Sequence, residues 1–139
     1  SRLDELQAAV LRARLPHLAA FTARRRAIAA AYRRQLPASV APVPELDPGH
    51  VYHLFPVRSP AREALRAHLR AAGIDTLIHY PVTLVEQEAF AAYAPEPCPI
   101  AARAASELVS LPLHPRLADL DVALVTDAVG TFQKGHAPA

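Results

Sequence analysis

The sequence holds no methionine and no tryptophan, one cysteine and four glycines, and Lys134 is its one lysine. Each shortage removes a class of function. Cys98 cannot form an internal disulfide, and the prolines on either side of it supply no base to activate the thiol. The four glycines make neither a G-x-G-x-x-G nor a Walker sequence, so phosphate cradles of those two types are excluded. No apolar run approaches the roughly 18 residues that span a bilayer, and the charged opening residues lack an apolar signal segment, so the expectation is a soluble, cytoplasmic protein without membrane partners. With no methionine and a serine at position 1, the chain reads as processed or as a piece of something longer.

What is present suits one domain with a real core. The chain has 139 residues, of which 52% are hydrophobic and 20% charged, with a net charge of +2 that creates no overall field for nucleic acid. Ser1 and Asp4 fit a capping box that opens a helix, with Leu3, Leu6, Val10 and Ala13 as its apolar stripe. Pro16 must end or kink that helix before Leu18, Phe21, Ile28 and Tyr32 define a second one reaching about Leu36. Prolines 37, 42, 44 and 48 mark an extended connection in which residues 40–43 can pair only as an edge strand.

Residues 51–58, VYHLFPVR, alternate and predict a strand, with Val51, His53, Phe55 and Val57 on one face; Pro56 places it at an edge or a bulge. Ser59 as cap and Pro60 at the first helical position predict a helix that Gly73 ends, and residues 74–80 predict a second strand. Residues 81–99 read as irregular or briefly helical, anchored by Leu84, Phe90 and Tyr93. A helix over 100–108, a strand over 109–113, a helix over 119–132 and an unstructured tail from Lys134 complete the chain. The expected architecture is a two-layer α/β sandwich, residues 37–139, carrying a helical arm, residues 1–36.

Candidate chemistry is sparse. His50 and His53 lack a cysteine or carboxylate at ligand spacing, so no metal site is expected. Ser59 and Ser110 lack a nucleophile-elbow context, and Glu86 and Glu88 alternate within a loop and form no acid/base pair. Arg24, Arg25, Arg26, Arg33 and Arg34 could bind phosphates, but without interleaved aromatic residues they read as a solvated face and imply no nucleic-acid partner. Residues 77–81, LIHYP, stand apart: an apolar run ends in an imidazole, a phenol and a proline at a sheet end. His79 there is either a buried, hydrogen-bonded histidine or a ligand-facing group.

Read together, SRLDELQAAVL (1–11), VYHLFPVR (51–58), GIDTLIHYP (73–81) and VSLPLHPRL (109–117) resemble the C-terminal third of the DegT/DnrJ/StrS family, pyridoxal-phosphate aminotransferases of nucleotide-linked sugars. The resemblance implies the small C-terminal domain of a fold-type I aminotransferase plus its connecting helix. It also implies pyridoxal 5'-phosphate bound mainly by a large domain outside this stretch, a nucleotide-sugar substrate with an amino donor, and a homodimer with a shared active site. Arg2 matches an arginine at that shared site, and His79 and Tyr80 match the family's HYP motif beside the sugar pocket. Thr83, Val85 and Glu88 depart from the family pattern after HYP, as do Ala102 and Ala118 further on. The family's cofactor-binding lysine lies upstream of Ser1, and Lys134 matches no such motif, so no catalytic residue is expected within this stretch. The alternative is a stand-alone, non-enzymatic module that binds a sugar nucleotide or regulates a full-length relative.

Overall fold

A computed structural model describes residues 3–93 and 96–135, with side chains through Gln133. Helix α1, Glu5–Arg14, begins at Asp4, whose carboxylate accepts from the backbone N–H of Leu6 at 2.8 Å. Asp4 thus stands at the cap itself; the expected partner Ser1 lies outside the described residues. Pro16 falls in a 3₁₀ turn, Leu15–His17, after which α2 runs over Leu18–Gln35. A ring without an N–H tightens the chain there and lets the next helix start at once.

Strands β1, Ala41–Pro42, β2, Phe55–Arg58, and β3, Leu108–Leu111, form an antiparallel sheet in the order β1-β2-β3. Helices α3, Arg62–Ala71, α4, Pro99–Glu107, and α5, Asp119–Gly135, complete the fold. Phe55 pairs with Leu111 and Val57 with Val109, and these four inward side chains are buried with Ile28 and Tyr32 of α2, Leu65 and Leu69 of α3, and Val125 and Val129 of α5. The result is the α/β fold expected, with the helices on a short sheet.

Several boundaries differ from the sequence pattern. The 51–58 strand shrinks to four residues because Tyr52 takes a left-handed backbone, φ 51°, which breaks the alternation and buries Tyr52 while Val51 and His53 stay exposed. Pro56 sits in the central strand rather than at an edge. Its missing N–H would have faced the carbonyl of Val43, which instead accepts from Arg33 Nη2 at 2.8 Å, while Val43 N–H donates to Pro56 O at 3.2 Å. Ser59 does not cap α3: it is buried and its N–H donates to Glu107 O at 3.0 Å, so the helix starts at Arg62.

The far end of α3 is as expected. Gly73 at φ 75° lets its own N–H reach Arg70 O and that of Ile74 reach Leu69 O, a Schellman stop closed by the apolar pair Leu69 and Ile74. The second predicted strand, residues 74–80, reduces to one antiparallel bridge between Leu77 and Ser110; on one side the next pair would set Asp75 opposite Pro112, which has no N–H to give. Leu84 and Tyr93 are exposed on short 3₁₀ turns and anchor nothing, with Phe90 only partly covered against Tyr93. Helix α5 runs through Lys134 to Gly135, past the point where a tail was expected, and residues 136–139 lie outside the described ones. Its first turn is capped by Asp121, whose carboxylate accepts from Ala118 N–H at 3.1 Å, so the weak residue at Ala118 is compensated.

Candidate functional site

Strand alternation places Pro56, Arg58, Leu108 and Ser110 on the sheet face away from the core. The bridge to Leu77 adds the 77–80 segment to that face. Ser110 and Leu77 exchange two backbone bonds, Ser110 N–H to Leu77 O at 2.8 Å and Leu77 N–H to Ser110 O at 3.3 Å. Two residues on, His79 Nδ1 lies 3.1 Å from Ser110 Oγ. Ser110 is 9% exposed, whereas Tyr80 beside His79 is 80% exposed.

Two clefts meet at His79. One, of about 150 Å³, is walled by Leu54, Pro56, Leu77, Tyr80 and Ser110; the other, of about 130 Å³, by His53, Asp75, Leu77, Ser110 and Leu113. His79 is therefore hydrogen-bonded but exposed, so it is not the buried histidine of the plain structural reading, and its ring borders both small clefts. Arg2 lies outside the described residues. Sequence reasoning set Ser110 aside as a nucleophile and missed it as the partner of His79. The legible signal was a lone hydroxyl at the outward position of VSLPL, flanked by inward Val109 and Leu111.

The other candidates resolve differently. His50 Nδ1 accepts from Tyr52 N–H at 3.1 Å, and no group of three metal-ligating side chains exists among the described residues. The arginines of α2 are only in part a solvated face: Arg26, Arg33 and Arg34 are exposed, but most of the five are tied to backbone carbonyls. Arg24 donates to Leu117 O and pairs with Asp119 at 2.7 Å; Arg25 donates to Tyr52 O and His53 O; Arg26 donates to His50 O and Pro48 O. Three neighbouring guanidiniums thus hold residues 48–53 and the start of α5 against α2, which leaves them poorly placed to neutralise phosphates.

Electrostatics elsewhere are structural. Arg103 and then Arg58, at 2.8 and 2.6 Å, hold the Glu107 carboxyl below its ordinary value. Burial, with the Asp121 carboxylate adding to it, pushes the Tyr32 phenol up while its OH donates to Pro112 O at 2.8 Å. Burial and the bond to Glu45 raise the Tyr52 phenol, whose ring lies under the Arg33 guanidinium at 6.0 Å. A larger cleft of about 840 Å³ opens between the helical arm and the 51–53 and 114–116 loops, with Arg14, Arg25, Arg116, His53 and His114 on its walls.

The sequence profile of the DegT/DnrJ/EryC1/StrS aminotransferase family matches residues 1–130. The chain belongs to this family. Among its relatives, dTDP-3-amino-3,4,6-trideoxy-alpha-D-glucose transaminase of Streptomyces venezuelae is 47% identical over 134 residues, covering 93% of this chain and 35% of that protein. UDP-N-acetyl-3-dehydro-alpha-D-glucosamine 3-aminotransferase of Acidithiobacillus ferrooxidans is 39% identical over 131 residues, covering 93% and 36%. A crystal structure of DesV of S. venezuelae with a ketimine intermediate superposes with a TM-score of 0.86 at 41% identity, over 99% of this chain and 38% of that one.

The chain thus spans little more than a third of the length of the family members it matches. The described residues around His79 do not fit a covalently held pyridoxal phosphate: neither cleft is lined by a lysine. No helix among the described residues is long and apolar enough to cross a membrane.

Proposed function

We propose that this chain is the C-terminal part of a pyridoxal-phosphate-dependent aminotransferase that acts on a nucleotide-linked keto sugar in amino-sugar biosynthesis. The observation that carries the reading is the outward pair His79 and Tyr80, with His79 tied at one ring nitrogen and open to two clefts. That arrangement suits a polar ligand rich in hydroxyls: an imidazole N–H and a phenol provide directional hydrogen bonds, and Leu54, Pro56 and Leu77 provide an apolar wall for a sugar ring. Both relatives described above are named for nucleotide-linked sugars, one carried by dTDP and one by UDP.

In this reading His79, Tyr80 and Arg2 bind and orient the sugar. The cofactor supplies the chemistry of moving an amino group when bound, and a lysine outside this chain holds it. Residues 1–36 form the arm that joins a large domain, residues 37–139 close the site over the substrate, and the working unit is a cytoplasmic homodimer with shared active sites. The exposed stripe of α1, where Leu6 is 75% and Val10 50% exposed, supports an arm that is covered in the whole protein.

The test is His79→Ala and Tyr80→Phe in the intact enzyme, with a keto-sugar nucleotide as substrate. Losing a hydrogen bond to substrate at His79 is expected to lower kcat/KM roughly 10- to 100-fold. A folded His79→Ala enzyme with unchanged turnover and substrate affinity would sink the reading.

A further inference from the structure

We infer that Ser110 is the positioning residue of His79: its hydroxyl donates to Nδ1, holds the neutral ring with its proton on Nε2, and so presents an N–H to the sugar substrate. This rests on the substrate-facing reading of His79 proposed above.

Three observations support it. Ser110 cannot drift, because Pro56 faces it on one side and its backbone is locked to Leu77 by two bonds on the other. Its Oγ, on a residue only 9% exposed, has Nδ1 of His79 as its one partner among the described residues, at 3.1 Å. A hydroxyl carries one hydrogen, and a nearly buried donor without an acceptor is costly, so that hydrogen goes to Nδ1. Nδ1 is then an acceptor, and a neutral imidazole must carry its proton on the other nitrogen. Nε2 has no partner among the described residues, and the ring borders both clefts.

The consequence is chemical. With its proton already on the free nitrogen, His79 binds a sugar hydroxyl, carbonyl or phosphate oxygen as a hydrogen-bond donor; it does not act as the base that removes a substrate proton. Leu77 extends the same device, since the bridge at Leu77 sets how far along β3 the ring of His79 reaches.

The experiment is proton–nitrogen correlation NMR on protein labelled with ¹⁵N-histidine, the His79 ring being assigned by its loss in His79→Gln. The wild-type ring is expected to show an unprotonated Nδ1 and a protonated Nε2. Ser110→Ala should turn this into a mixture of tautomers, and Ser110→Thr, which keeps a hydroxyl at the same carbon, should restore it. In the intact enzyme Ser110→Ala should raise KM for the sugar nucleotide roughly three- to tenfold, with Ser110→Thr near wild type.

A wild-type ring protonated on Nδ1, or a tautomer unchanged in a folded Ser110→Ala protein, overturns the assignment. If Ser110→Ala does not fold, the wild-type tautomer and the Ser110→Thr protein decide the question by the same criterion. Failure of the substrate-facing reading is seen separately: Ser110→Ala would alter the ring signals while neither it nor His79→Ala changed turnover. That result would leave a tautomer lock with no role toward substrate and would overturn the proposal.

Discussion

The two faces of the β2–β3 pair share eight residues, four to each face, and are opposite in character. Inward, Phe55, Val57, Val109 and Leu111 pair across the strands and are at most 3% exposed. Outward, Pro56, Arg58, Leu108 and Ser110 meet an isolated bridge, two small clefts and an exposed His-Tyr pair. Many redundant contacts hold the first face, whereas a few directional ones define the second. The core and the proposed ligand site are therefore separated by one residue step along a strand, and a substitution should disturb mainly one of them.

The sharpest test of that separation has the largest expected effect. Phe55→Ala removes a ring packed against Tyr32 at 5.0 Å between centroids and should destabilise the fold by about 3–5 kcal/mol in urea unfolding. His79→Ala, on the outward face, takes the acceptor from the Ser110 hydroxyl but opens it to water, and should change the same measurement by about 0.5–1.5 kcal/mol. A comparable loss in both would erase the distinction. Next, Tyr32→Phe leaves the carbonyl of Pro112 without its donor inside the core and should cost about 1–3 kcal/mol. Gly73→Ala meets no atom within 4 Å, so its expected cost of about 1–2 kcal/mol comes from the left-handed backbone alone.

The smallest effect is in acid. The Glu107 carboxyl titrates below its ordinary 4.5 in the folded protein, chiefly through Arg103 and then Arg58. Its contribution is complete above that value and is lost as pH falls through the lowered folded one. Glu107→Gln should therefore flatten part of the fall in Tm below about pH 4.5, leaving the part due to Glu63 and Glu86, which are also held low. An identical acid limb in wild type and variant would mean that the two arginines do not act on Glu107 in solution.

Local signals were legible where one mechanism decides the outcome. The proline turn between α1 and α2 and the Gly73 stop follow from the chemistry of those two residues, helices α2 and α5 from apolar periodicity, and α4 from its alanine content. Ser59 and residues 51–54 were misread because their partners overruled local preference: Glu107 O takes the Ser59 N–H, and a turn that no periodicity encodes is held by Tyr52, which donates to His50 and Glu45 and accepts from Arg25. The α2 arginines look like surface charge in one dimension, since the carbonyls they hold lie 10 to 93 positions away. At the site, His79 and Tyr80 stood out because they end an apolar run at a proline. Ser110 did not, since its meaning depends on a bridge between residues 33 positions apart.

One small arrangement governs how the sheet can assemble. Opposite Pro56 a partner carbonyl has no donor in the ladder, and Arg33 supplies one to the carbonyl of Val43. A β1 shifted by two residues would keep every side chain on its proper face, so the hydrophobic pattern alone would not reject it. The shift would instead bring Ala41 or Glu45 opposite the proline, stranding one carbonyl and leaving the guanidinium reaching for a group that has moved. Arg33 thus reads the alignment of the edge strand and tells the intended pairing from its nearest imitation.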